Sequence, residues 1–179
     1  VCGVSETATA WTAVVSGLEE LAGLKSSCSV LVQAATGGVG LVAVSYAQKA
    51  GGRVYATAGR TEKQAFMQGL GVPMVSTTRD STTFVAEMSS LLGSCGKVRV
   101  VLNSLTHDEY VPGAAHLLGG GGRFAEIGKR GIWTRDQMAA LNHVGYNVVA
   151  MDAQCSLDPA WQHGALRGLC RRVTTASQE

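Results

Sequence analysis

The residues with the most chemical content are a glycine turn, Ala34-Ala35-Thr36-Gly37-Gly38-Val39-Gly40, and two cations further along the chain, Arg60 and Lys63. The turn follows an apolar run and precedes a segment with helical spacing, the order in which a dinucleotide fold places a pyrophosphate. Gly37 and Gly38 let backbone approach an anion closely, and Gly40 lets the helix pack near the strand. The helix N-terminus then offers free N–H groups and about half a positive charge. Ala35 replaces the first glycine of the usual G-x-G-x-x-G pattern, so a tight strand-to-helix turn without a ligand is the competing reading.

The segment Ala56-Thr57-Ala58-Gly59-Arg60-Thr61-Glu62-Lys63 decides which dinucleotide fits. A free ribose 2′-hydroxyl is normally held by an acid at the end of the second strand, and none stands there. Arg60 offers a planar fork and Lys63 a point charge, both suited to a 2′-phosphate, so the expected cofactor is NADPH. The bland alternative is that both are solvated surface cations. Other signatures are missing: there is no G-x-x-x-x-G-K, no G-x-S-x-G, and no Tyr followed four residues later by Lys. The four His and five Cys form no cluster at metal-ligand spacing, so no metal site is expected.

Positioning such a turn requires a doubly wound α/β domain, and the chain alternates accordingly. Strands are expected over Ser29 to Ala35, Arg53 to Ala58, Met74 to Val75, Val98 to Leu102, Gly122 to Ile127 and Asn147 to Met151. Helices are expected over Glu6 to Ala22, Val39 to Ala50, Thr61 to Leu70, Ser81 to Leu92, Asp108 to Leu118 and Asp136 to Asn142. Apolar strands separated by helices imply a parallel sheet buried on both faces, hence a Rossmann-like fold. Past Asp152 the periodicity degrades, and Thr174 to Glu179 reads as a frayed tail. The expected organisation is an entering helix over 1–23, an NADPH-binding domain over 24–155 and a short return segment and tail over 156–179.

Composition agrees with one domain of 179 residues: 46% are hydrophobic, 16% charged, and 15 Lys plus Arg stand against 13 Asp plus Glu. The charges are interspersed, which argues against nucleic acid as a partner. No apolar run approaches the ~18 residues of a membrane span and no signal peptide is evident, so a cytoplasmic protein is expected. Twenty-three glycines are about twice the usual share, and the informative ones lie in the turn.

Three blocks, VLVQAATGGVG (Val30 to Gly40), VVLNSL (Val100 to Leu105) and GGRFAEIGKRGI (Gly121 to Ile132), strongly resemble the enoylreductase domain of modular polyketide synthases and animal-type fatty acid synthase. These are zinc-free members of the medium-chain dehydrogenase/reductase superfamily. TAWTAV (Thr9 to Val14) is similar to the helix that enters the family's cofactor domain, and GALRGL (Gly164 to Leu169) to the segment returning to the substrate domain.

The resemblance implies NADPH-dependent reduction of a trans-2-enoyl thioester carried on an acyl carrier protein, within a multidomain synthase and with a homodimer as one arrangement. It places the pyrophosphate at Thr36, Gly37, Gly38, Val39 and Gly40, and the 2′-phosphate at Thr57, Arg60 and Lys63. Asn103, Ser104, Leu105, Ile127 and Gly128 would lie along the cofactor. The family's proton-donor candidates fall on Lys129 and Asp152, each following a strand, so both emerge at the carboxyl edge. They read either as a catalytic pair or as a structural ion pair. Gln33 stands where the family often has His, and the GroES-like substrate domain is missing from this chain. Two further readings are a zinc-free quinone oxidoreductase or alkenal reductase of the same superfamily, and a catalytically silent nucleotide-binding scaffold.

Overall fold

The computed structural model describes residues 2–107, 109–140 and 144–176. Six strands form one sheet: β1 (Ser29–Val32), β2 (Arg53–Thr57), β3 (Met74–Ser76), β4 (Val98–Asn103), β5 (Leu118–Glu126) and β6 (Gly145–Val148). All five pairings are parallel, and the order across the sheet is β3-β2-β1-β4-β5-β6. The chain therefore starts in the middle, winds to one edge, returns, and winds to the other. That is the doubly wound, Rossmann-like arrangement expected from the sequence.

Helices cover both faces because the strands are apolar on both. Val30 and Val32 of β1, Val54 and Ala56 of β2, and Val100 and Leu102 of β4 pack with α1 (Cys2–Val14), the π-helical segment Val15–Leu21, α2 (Gly38–Lys49) and α3 (Thr61–Gly69). The alternate residues Leu31, Tyr55, Val101 and Phe124 pack with α4 (Ser81–Leu92), α5 (Tyr110–His116) and α6 (Arg135–Ala139). Tyr55, Phe84, Tyr110 and Phe124 are at most 2% exposed. Each contributes roughly 1.5–3 kcal/mol of apolar burial.

Several expected boundaries are corrected. The entering helix begins at Cys2 and changes to π geometry at Val15. Strand β5 starts at Leu118, four residues ahead of the expected start: Val98 pairs with Leu118 and Val100 with Arg123, so Gly119 to Gly122 bulge out between two paired positions. Strand β6 ends at Val148, and Met151 already belongs to α7 (Met151–Leu157). The stretch expected as a return segment and tail, 156–179, contains α8 (Pro159–Ala176), which packs on α1 and takes in Thr174 to Ala176 of the expected frayed end. Its start is fixed by Asp158, whose carboxylate accepts the Trp161 N–H at 3.0 Å, and by Pro159, which fits the first helical turn. Asp108, Asn142 and the last three residues of the expected tail lie outside the described residues. Among the described residues no helix is long and apolar enough to cross a membrane.

Candidate cofactor-binding site

In a parallel sheet every strand ends at the same edge, so the candidate residues line up in strand order. Across the carboxyl edge come the loop after β3, then Arg60 after β2, the glycine turn after β1, Asn103 closing β4, Lys129 after β5, and Asp152 beyond β6. The chain reverses its winding between β1 and β4, and the crevice at such a switch point is where dinucleotides bind in folds of this type.

At the turn, Gly37 and Gly38 are exposed and Gly40 is buried. A Cβ on Gly38 would meet nothing within 4 Å, so the space over the helix N-terminus is open. A Cβ on Gly40 would lie 2.6 Å from the Ala35 backbone, which makes glycine obligatory for seating α2 against β1. None of these three glycines has a positive φ; the left-handed residue is Ala34, at φ 48°. No side chain caps α2, whereas Asp80 caps α4 and Thr134 forms a capping box on α6. The first N–H groups of α2 are thus left for an anion. Thr36 and Val39 are half-buried at the flanks of the turn.

At the cation end, a pocket of about 400 Å³ is lined by Thr36, Gly37, Arg60, Lys63, Thr78 and Arg79, with neighbouring backbone. Arg60, Lys63 and Arg79 are exposed. Thr57, expected at the 2′-phosphate, lies behind the turn and not on the pocket wall. Thr57 is 0% exposed, and its hydroxyl accepts the Ala34 N–H at 3.0 Å, so it braces the glycine turn from behind. Arg79 was not singled out by the sequence. It reaches the pocket because β3 lies beside β2, and its Nε donates to the Gly59 carbonyl. Gly59 permits this approach, since a Cβ there would stand 2.7 Å from Thr78 Oγ1.

At the other end, Asn103 is 0% exposed and its side chain works from beneath the surface, with Ser104 and Leu105 half-buried above it. Its Nδ2 donates to Leu105 O at 3.1 Å and to Glu126 Oε2 at 2.5 Å, and its backbone carbonyl accepts the Ile127 N–H at 2.8 Å. Ser104 Oγ donates to the Gln33 carbonyl at 3.4 Å, while both polar atoms of the Gln33 side chain are buried without a hydrogen-bond partner. Glu126, which was not among the expected site residues, is 0% exposed and accepts the Gly128 N–H at 2.6 Å. Burial pushes its carboxyl above the usual range, against the lowering effect of the Asn103 and Gly128 hydrogen bonds. Tyr146 beside it is pushed up to about 12 by burial and by the Glu126 charge.

Lys129 and Asp152 meet. Lys129 Nζ lies 2.9 Å from Asp152 Oδ2, with side chains 77% and 86% exposed. Asp152 sits in the first turn of α7, where a carboxylate is favoured by the helix dipole. Among the described residues no three His, Cys, Asp or Glu side chains are grouped as a metal site would need.

Known proteins share this fold. Residues 38–142 match the family described as zinc-binding dehydrogenase. Over 174 residues the chain is 35% identical to a phenolphthiocerol/phthiocerol polyketide synthase of Mycobacterium tuberculosis, covering 96% of this chain and 8% of that protein. Among solved structures, CurK enoyl reductase superposes with a TM-score of 0.86 at 33% identity, covering 93% of this chain and 49% of that one. The nucleotide-binding subdomain of the enoylreductase domain of PpsC from Mycobacterium tuberculosis superposes with a TM-score of 0.85 at 32% identity, covering 95% of each chain. The match is therefore to a small part of a synthase polypeptide and to about half of a whole enoyl reductase.

Proposed function

Because the chain belongs to the zinc-binding dehydrogenase family, as the nucleotide-binding subdomain of a polyketide synthase enoyl reductase, we propose that it binds NADPH and forms the cofactor half of an enoyl-thioester reductase. The observation that carries this reading is the alignment along the carboxyl edge of an uncapped helix N-terminus at the glycine turn with a three-cation pocket on one side and the Lys129–Asp152 pair on the other. The residues fit the cofactor. The α2 N–H groups, with open space over Gly38, take the pyrophosphate; Arg60, Lys63 and Arg79 take the 2′-phosphate; Ser104, Leu105, Ile127 and Gly128 flank the nicotinamide end.

When bound, NADPH supplies the hydride that goes to the β-carbon of a trans-2-enoyl thioester. Negative charge then develops on the thioester oxygen. The Lys129 ammonium stabilises that charge and delivers a proton to the α-carbon, directly or through water. Asp152 orients Lys129 through their 2.9 Å contact. The acyl group arrives on an acyl carrier protein, and the remaining domains of the synthase are the chain's partners.

The test joins the chain to an enoylreductase substrate half and measures NADPH oxidation with a crotonyl thioester and with a quinone. Preferential turnover of the thioester supports the reading. Preference for the quinone moves the protein to the quinone oxidoreductases, and no turnover of either favours a binding scaffold.

A further inference from the structure

Strand β5 ends in a charge-bearing residue that the chemistry above does not use. Glu126 follows Phe124 on the inner face of the sheet, is 0% exposed, and has no cation among the described partners of its carboxylate. Its two oxygens are divided between two loops. Oε2 accepts from Asn103 Nδ2 at 2.5 Å and Oε1 from the Gly128 N–H at 2.6 Å. The Asn103 amide cannot simply turn over, because Leu105 holds both its ends: Nδ2 donates to Leu105 O, and the Leu105 N–H donates to Oδ1. The backbone carbonyl of Glu126 accepts the Val149 N–H at 2.7 Å, just ahead of α7 and Asp152. Gly128 has no room to move inward, since a Cβ there would stand 2.6 Å from Thr106 Cγ2 and 2.7 Å from Glu126 Oε1.

We propose that Glu126 is a positioning residue of the site: its buried carboxylate clamps the Asn103–Leu105 turn to the Gly128–Lys129 turn and so fixes where Lys129 stands at the sheet edge. A carboxylate suits this place because it offers an acceptor at each end, and both groups facing it are N–H donors. An uncharged isostere has one acceptor end and one donor end, so it leaves a donor facing a donor. Burying a carboxyl group without a cation is costly, and a core position beside Phe124 would otherwise favour an apolar side chain. The Tyr146 hydroxyl, buried without a hydrogen-bond partner on the neighbouring strand, accompanies the acid and does not neutralise it. The effect on cofactor binding rests on the reading proposed above; the clamp itself does not.

The experiment compares the whole chain with Glu126→Gln and Glu126→Asp by amide hydrogen exchange, and titrates each with NADPH at a temperature where all are folded. In Glu126→Gln the backbone amides of Gly128 and Lys129 should exchange at least tenfold faster while those of Val30 to Val32 and Val98 to Leu102 keep their protection, and the NADPH dissociation constant should rise about threefold to tenfold. Glu126→Asp keeps both acceptors on a shorter stem and should fall between the two. A role confined to stability would instead speed exchange throughout the sheet and leave NADPH affinity unchanged. Exchange at Gly128 and Lys129 within twofold of wild type overturns the clamp. If the wild-type chain fails to bind NADPH, the cofactor reading falls, and the exchange data still decide the role of Glu126.

Discussion

Thr57 Oγ1, at the end of β2, accepts the N–H of Ala34, the residue in left-handed conformation that opens the glycine turn. The adjacent Ala35 N–H bonds to the Thr57 carbonyl at 3.0 Å, so one buried threonine holds two consecutive turn residues from the next strand. Thr57→Val keeps the shape and removes the acceptor. Leaving the Ala34 N–H without its partner should cost about 1–3 kcal/mol of folding stability, read by urea denaturation, and weaken NADPH binding without changing the preference over NADH. Unchanged stability would show that the turn does not depend on this bond.

Two glycines in one turn should respond in opposite ways. Gly40→Ala drives a Cβ to 2.6 Å from the Ala35 backbone, so it should destabilise the fold by several kcal/mol or prevent soluble expression. Gly38→Val meets open space and should leave the melting temperature near wild type, yet it fills the volume that a pyrophosphate needs. Calorimetric titration of that variant with NADPH should show no binding; retained affinity would put the phosphates elsewhere.

Exposure separates the two readings of Lys129 and Asp152. A pair 77% and 86% exposed contributes about 0–1 kcal/mol, so Lys129→Ala with Asp152→Asn should shift the melting temperature by no more than about 4 °C. With the substrate half joined, the same double variant should lower turnover by roughly tenfold to a thousandfold at little cost in NADPH affinity. Wild-type turnover would leave the pair as scaffold.

The alternation of apolar runs and helical spacing made the strand-and-helix order legible, because strands buried on both faces leave little room for another reading. The sequence pattern puts the start of β5 too late, at Gly122, because Leu118 pairs with Val98 ahead of a bulge over Gly119 to Gly122 that interrupts the strand pattern. Helix α8 escaped notice because its apolar residues, such as Trp161, Ala165 and Leu169, are only half-buried; the unread signal was Asp158-Pro159. In the site, Arg60 and Lys63 stood out because they directly follow a strand. Arg79 did not, since its relevance depends on β3 lying beside β2. Glu126 and Thr57 could have been placed by counting in twos from Phe124 and Tyr55, which puts both on an inner face.

The raised Glu126 carboxyl carries a pH dependence of definite sign. The folded state holds that proton above its ordinary value of 4.5, so the contribution is fully present below that value, declines as pH rises toward the folded value, and is flat beyond it. The melting temperature of the wild type relative to Glu126→Gln should therefore fall as pH is raised above 4.5 and then level off. A difference that grows with pH would mean that the two N–H donors outweigh burial.

Whether the cation pocket reads a 2′-phosphate is decided by the ratio of NADH to NADPH dissociation constants. That ratio is to be obtained by fluorescence titration of the wild-type chain and of Arg60→Ala with Lys63→Ala and Arg79→Ala. Charge-assisted contacts of about 1.5–3 kcal/mol each predict a wild-type preference for NADPH of at least tenfold, with the triple variant losing at least that factor for NADPH and almost none for NADH. Equal affinities in the wild type, or equal losses for both cofactors in the variant, would mean that Arg60, Lys63 and Arg79 do not read the phosphate.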